Sequence, residues 1–141
     1  MEKQIKLLKK YGVQPKCTEK QLHKQICSYL HLQYKNVIFN TDASGIKLSM
    51  GQAVQMKYLR SGNGFPDIQF LEPRNHYSGL FLEVKKECPY LKKDWKLKND
   101  KHLQEQVAMH NKLKERLFEV YFVWEFEQAK NIIDKYLKNK L

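Results

Sequence analysis

Two runs decide the fold: Gly64-Phe65-Pro66-Asp67-Ile68-Gln69-Phe70-Leu71, and, after a loop from Glu72 to Ser78, Gly79-Leu80-Phe81-Leu82-Glu83-Val84-Lys85. The second is apolar almost to its end, as a central strand covered on both faces reads. The first follows a proline and is joined to it by a short loop, which predicts an antiparallel pair. Side chains two apart on a strand share a face, so Phe81, Glu83 and Lys85 stand together. In an antiparallel pair the start of the first strand lies beside the end of the second, which sets Asp67 next to Glu83 and Lys85. Two carboxylates and an ammonium then share one sheet end.

Such a trio suits phosphodiester hydrolysis. Magnesium takes one or two carboxylates and fills its shell with water and phosphate oxygens. It polarises the phosphoryl oxygen and acidifies a bound water, and a neighbouring lysine stabilises charge on the transferring group. Paired carboxylates repel one another without a cation, so Mg2+ or Mn2+ is the expected cofactor. The alternative on spacing alone is a surface ion pair between Glu83 and Lys85, with Asp67 capping a turn.

Upstream, Thr18 and Gln21 have capping-box spacing, and Leu22, Ile26, Tyr29, Leu30 and Gln33 follow a helical period. Val37-Ile38-Phe39-Asn40-Thr41 predicts a strand and Asp42-Ala43-Ser44-Gly45 a turn. Ser49 and Gln52 repeat the capping spacing ahead of a short helix with Ala53, Val54, Met56 and Tyr58, which Ser61-Gly62-Asn63-Gly64 ends. Downstream, residues 86–101 form a polar, basic loop. Helix resumes near Asp100 with Leu103, Val107, His110, Leu113 and Leu117 on one stripe. Val120-Tyr121-Phe122-Val123-Trp124-Glu125-Phe126 is the most β-prone segment. From Glu127 a last helix carries Ala129, Ile132, Ile133, Tyr136 and Leu137 on one face. The order predicts an α/β protein with a small mixed sheet: one domain over residues 17–141, after a basic N-terminal arm over 1–16.

Charge points to the partner. The 141 residues hold 26 Lys+Arg against 15 Asp+Glu, a net of +11, and the pI is near 9.5. A domain this basic suits a polyanion. Residues 84–102 hold seven lysines against three acids, so Lys86, Lys92, Lys93, Lys96, Lys98 and Lys101 are the expected DNA-binding surface. Trp95 among them either stacks on a base or covers the edge of the core. No run reaches the roughly 18 apolar residues of a membrane span, and Met1 to Lys6 lacks the apolar stretch of a secretory signal. Three cysteines without CxxC spacing imply neither a disulfide framework nor zinc, and a reducing, cytoplasmic location is expected. The five histidines form no HxxxH pair. Gly62-Asn63-Gly64 lacks the lysine and hydroxyl of a phosphate-binding loop, so no nucleotide cofactor is expected.

Pro66-Asp67, fifteen residues, then Glu83-Val84-Lys85 resembles the PD-(D/E)xK nuclease signature, and the element order is similar to that superfamily's αβββαβ core with a small inserted helix and a C-terminal helix. From about Thr18 to Leu137 the chain resembles the small stand-alone VRR-NUC nucleases of phages, which are similar to Holliday junction resolvases. The turn at Asn40 to Gly45, Gly64-Phe65-Pro66-Asp67-Ile68 and Gln104-Glu105-Gln106 add to the likeness. The resemblance implies metal-binding carboxylates at Asp67 and Glu83, a third ligand from the Val84 carbonyl, a catalytic lysine at Lys85, a supporting Gln106, and Glu19 holding the metal through water. The alternatives are a helix N-terminal acid favoured by the macrodipole for Glu19 and a solvent-facing helix residue for Gln106, although Gln106, three residues from Leu103 and four from His110, borders the buried stripe. The implied activity is a metal-dependent endonuclease leaving 5′-phosphate and 3′-hydroxyl ends, acting as a homodimer. A chain this small suits branched DNA read by shape, and the C-terminal helix with Tyr136 and Leu137 is the expected dimer surface. The competing readings are a non-catalytic nucleic-acid-binding module of the same fold and a restriction-like, flap-cutting or RNA-cutting nuclease.

Overall fold

The computed structural model describes residues 17–42 and 46–141. The arm over 1–16 and the Ala43-Ser44-Gly45 part of the turn lie outside the described residues. Eight elements follow in order: α1 (Glu19–Gln33), β1 (Phe39–Thr41), α2 (Met50–Leu59), β2 (Ile68–Phe70), β3 (Gly79–Val84), α3 (Lys101–Lys114), β4 (Phe118–Val123) and α4 (Phe126–Leu137). This is the mixed α/β class that the sequence predicts. Both capping boxes form: Thr18 Oγ1 accepts the Gln21 N–H and Ser49 Oγ that of Gln52, while each glutamine reaches back to its cap.

The sheet runs β1-β2-β3-β4. β1, β2 and β3 are successively antiparallel, and β4 lies parallel to β3 after the α3 crossover. β3 is central and all six of its residues are buried, which accounts for its unbroken apolar run. Its two faces meet different helices. Leu80, Leu82 and Val84, with Tyr121 and Val123, pack under α1 and α4. Phe81 and Val120 pack under Met109 and Leu113 of α3. Glu83 belongs to the α3 face by alternation. Asp134 binds α4 to α1, accepting the hydroxyls of Tyr29 and Tyr34 at 2.6 Å each.

Several boundaries differ from expectation. β1 pairs only from Phe39, and β4 starts at Phe118 and stops at Val123. Trp124 is not a strand residue: its N–H donates to Gln128 Oε1 at 2.9 Å, which starts α4 at Phe126. Leu117 leaves the helical stripe. It is exposed and sits at φ 65°, in the left-handed turn that redirects the chain from α3 into β4. Tyr136 is 1% exposed in the core and donates to the Glu72 carbonyl at 2.6 Å, with Leu137 packed beside it. Tyr136 is used within the fold and offers no dimer surface, whereas Leu137 is only partly buried. Among the described residues no helix is long and apolar enough to cross a membrane.

Candidate active site

The register of β2 against β3 sets Ile68 opposite Leu82, so Asp67, one residue before β2, lies level with Glu83. Asp67 is 9% exposed and Glu83 3%. Asp67 Oδ2 accepts the Val84 N–H at 2.8 Å, which fixes the carboxylate across the strand end. Lys85 follows β3 directly. Its N–H still donates to the Val123 carbonyl at 2.8 Å, extending the ladder by one residue. Its ammonium lies 3.3 Å from Glu83 Oε1. A trans peptide directs its C=O opposite to its N–H, so the Val84 carbonyl faces away from β4, toward the side on which Asp67 stands.

Gln106 completes the cluster. It is 4% exposed, and its amide donates to Glu83 Oε1 at 2.6 Å. The solvent-facing alternative is thereby corrected, because α3 buries Leu103, Gln106, Met109, His110 and Leu113 as one face. Asp100 starts that helix by accepting the Leu103 N–H at 2.9 Å. Gly64 then locks the turn that carries Asp67 onto the turn of α3 that carries Gln106. It adopts φ 80°, and a Cβ there would stand 2.8 Å from the Glu105 carbonyl and 2.9 Å from Gln106 Cα.

Two acids share this edge and the electrostatics register it. Burial, and then the Asp67 charge, push the Glu83 carboxyl up to about 8, against the opposing pull of Lys85. Glu83 Oε2 and Gln106 Oε1 are buried without a hydrogen-bond partner among the described residues. His110 sits behind the cluster with its ring 4.7 Å from that of Phe122. Desolvation first, then Lys114 and Lys85, lower it to about 3, so it is a neutral packing residue.

Glu19 opens α1 and is exposed. Its Oε1 accepts the Lys86 N–H at 3.1 Å, which docks the helix N-terminus beside the motif strand, and its charge adds to the acid-raising field at Glu83. No three His, Cys, Asp or Glu side chains among the described residues converge as metal ligands.

The lysines divide. Lys86, Lys92 and Lys98 line one groove with α1, whereas Lys93, Lys96 and Lys101 do not. Lys96 pairs with Asp94 at 3.5 Å and Lys98 with Glu87 at 3.2 Å. Trp95 is half-buried at φ 57° and its ring lies 6.3 Å from that of Tyr90, which makes it part of the loop's own packing. Sequence reasoning names Gly64 in the turn before Asp67 and gives Trp124 no role beyond the β-prone segment. The turn composition marked Gly64 as a breaker, but only the fold shows which backbone it must approach.

The fold is that of the VRR_NUC domain. One solved structure described as a VRR_NUC domain protein superposes with a TM-score of 0.65 at 16% identity, covering 89% of this chain and 92% of its own. A second, described as a VRR_NUC domain, gives 0.50 at 22% identity, covering 84% and 97%. No protein-family model matches the sequence, and no curated protein matches it significantly.

Proposed function

We propose that this chain is a divalent-metal-dependent nuclease that hydrolyses DNA phosphodiester bonds. The observation that carries the reading is the Glu83 carboxylate, buried beside the buried Asp67 and gripped by Lys85 and Gln106. Burying two acids together is costly unless a cation compensates. The orphaned Glu83 Oε2 is a vacant oxygen donor of the kind a hard cation uses. Two carboxylates and a backbone carbonyl, with water for the remainder, match the ligand demand of Mg2+ or Mn2+ better than a third carboxylate would.

Asp67, Glu83 and the Val84 carbonyl would hold the metal, with Glu19 acting through water. When bound, the cation would polarise the phosphoryl oxygen and make a water nucleophilic near neutral pH. The protein's own groups do the rest. Gln106 and Lys85 hold Glu83 in one rotamer, so no reorganisation is needed at reaction. The Val84 N–H does the same for Asp67. The Lys85 ammonium offers a preorganised positive charge to the oxygens that gain charge in the transition state. Lys86, Lys92, Lys93, Lys96, Lys98 and Lys101 supply phosphate contacts, which position the backbone without reading sequence. A domain this small suits a substrate recognised by shape, and we propose branched DNA. Cutting two opposed strands of a junction needs two sites, hence a homodimer, the commonest closed symmetry.

The test is an end-labelled panel of duplex, single-stranded, flap and four-way junction DNA, incubated with Mg2+, Mn2+ or EDTA. Metal-dependent cleavage is expected, strongest on branched forms. Binding without cleavage in any metal would replace this reading with that of a non-catalytic module.

A further inference from the structure

A groove of about 1340 Å³ runs between α1, the loop after the motif strand and the β4–α4 turn. Small-molecule pockets occupy roughly 300–1,000 Å³, so it is large enough for a polymer segment. Its link to the candidate active site is Lys86, which lines it, is bonded through its N–H to Glu19 and directly follows Lys85; Asp67, Glu83, Lys85 and Gln106 do not line it. Two kinds of side chain line it. Lys24, Lys86 and Lys92 make no ion pair among the described residues, and Tyr29, Tyr90 and Trp124 present aromatic rings. Tyr90 is held edge-on against Phe122 at 6.2 Å and Tyr29 against Phe126 at 5.8 Å. Trp124 is half-buried, with its backbone clamped by Gln128, and its indole has neither a ring contact nor a hydrogen bond among the described residues.

We propose that this groove binds an unpaired nucleic-acid strand continuous with the phosphodiester at the Asp67–Glu83–Lys85 edge, Trp124 stacking on a base and Lys24, Lys86 and Lys92 following the backbone. Lysines tracking phosphates and rings taking bases is how single strands are held without sequence readout. Duplex DNA needs phosphate contacts alone and leaves an aromatic wall unused. Glu87, Glu125 and Glu127 also line the groove, the last two at the start of α4. The inference rests on the nuclease reading for the strand's direction, but its test does not need cleavage.

The full-length chain is titrated in EDTA with fluorescein-labelled dT12 and with a 12-base-pair duplex, followed by anisotropy at several salt concentrations. Trp124→Leu is expected to weaken dT12 about 5- to 100-fold, from the usual worth of one stacked base, and to change duplex affinity less than two-fold. Trp124→Phe should restore most of the loss. Lys24→Ala/Lys92→Ala, both changes on exposed positions, should flatten the dT12 salt slope by about 0.7 for each lysine. Unchanged dT12 binding in both variants, or an equal loss on duplex, overturns the proposal. So does a dimer by light scattering that Trp124→Leu dissociates, since the groove then belongs to a second copy. Single-strand binding that behaves as expected in a protein that cuts nothing in any metal would remove the nuclease reading and leave the groove.

Discussion

The helices α2 and α3 both join strands of the same sheet, both start on a side-chain cap, and differ in everything beyond that. α3 buries five residues, and one of them, Gln106, reaches Glu83. α2 buries none: Met50 is 87% exposed and Tyr58 88%, and the helix ends in an ion pair from Arg60 to Asp42. A capping box decides that a helix starts, at about 1 kcal/mol. It says nothing of what the helix faces. Only packing turns a helix residue into part of a site, which is why α3 contributes chemistry and α2, on the same chain and with equally good local signals, contributes no core contact.

The sharpest way to break that contrast is at the edge α3 supports. Lys85→Ala should lower cleavage at least about 10³-fold, roughly 4 kcal/mol of transition-state stabilisation, in single-turnover assays with the fold intact by circular dichroism. Next in size is the core beneath α3. Leu113→Ala should reduce unfolding free energy by about 2–4 kcal/mol in urea titrations. Gln106→Ala removes the amide that orients Glu83, and a loss of about 10- to 100-fold in Mn2+ affinity by calorimetry is expected, as for partners of metal ligands generally.

A smaller effect follows from Glu83. Its folded value is raised from 4.5 to about 8, so its contribution to stability is complete below about 4.5 and is lost as pH rises through 8. Thermal unfolding in EDTA should therefore weaken between pH 5 and 8, on the order of 1–3 kcal/mol. Glu83→Gln should flatten that slope, and a divalent cation should restore the wild-type protein at pH 8 but not the variant. At the bottom of the scale, Val54→Ser or Tyr58→Ser on α2 should shift unfolding by less than about 0.5 kcal/mol. A loss above 1 kcal/mol there would mean that α2 packs against something, and the contrast would fail.

Much of this was legible before any coordinates. The antiparallel pairing of β2 with β3, and with it the meeting of Asp67, Glu83 and Lys85, follows from strand period and loop length, both local. Thr18 and Ser49 announce their helices by capping chemistry. What stayed hidden depends on tertiary contact. β propensity runs smoothly through Val123-Trp124-Glu125, and only the Gln128 side chain, four residues on, turns Trp124 into a helix lead-in. Tyr136 reads as a surface aromatic on an amphipathic face until α1 and the Glu72 carbonyl close around it. Gln106 borders the buried stripe by its spacing from Leu103 and His110, but which acid it bonds, 23 residues away, shows only in the fold. The groove is the extreme case, because Lys24, Lys86 and Trp124 come from three separate elements.

The measurement that bears most directly on the central claim pairs two readings on the same samples: Mn2+ binding by calorimetry and cleavage of a labelled branched DNA, for the wild-type protein, Lys85→Ala and Glu83→Ala. The account predicts that the wild-type binds and cuts, that Lys85→Ala binds Mn2+ but does not cut, and that Glu83→Ala does neither. Cleavage that survives in Glu83→Ala, or Mn2+ binding indifferent to that change, would contradict it.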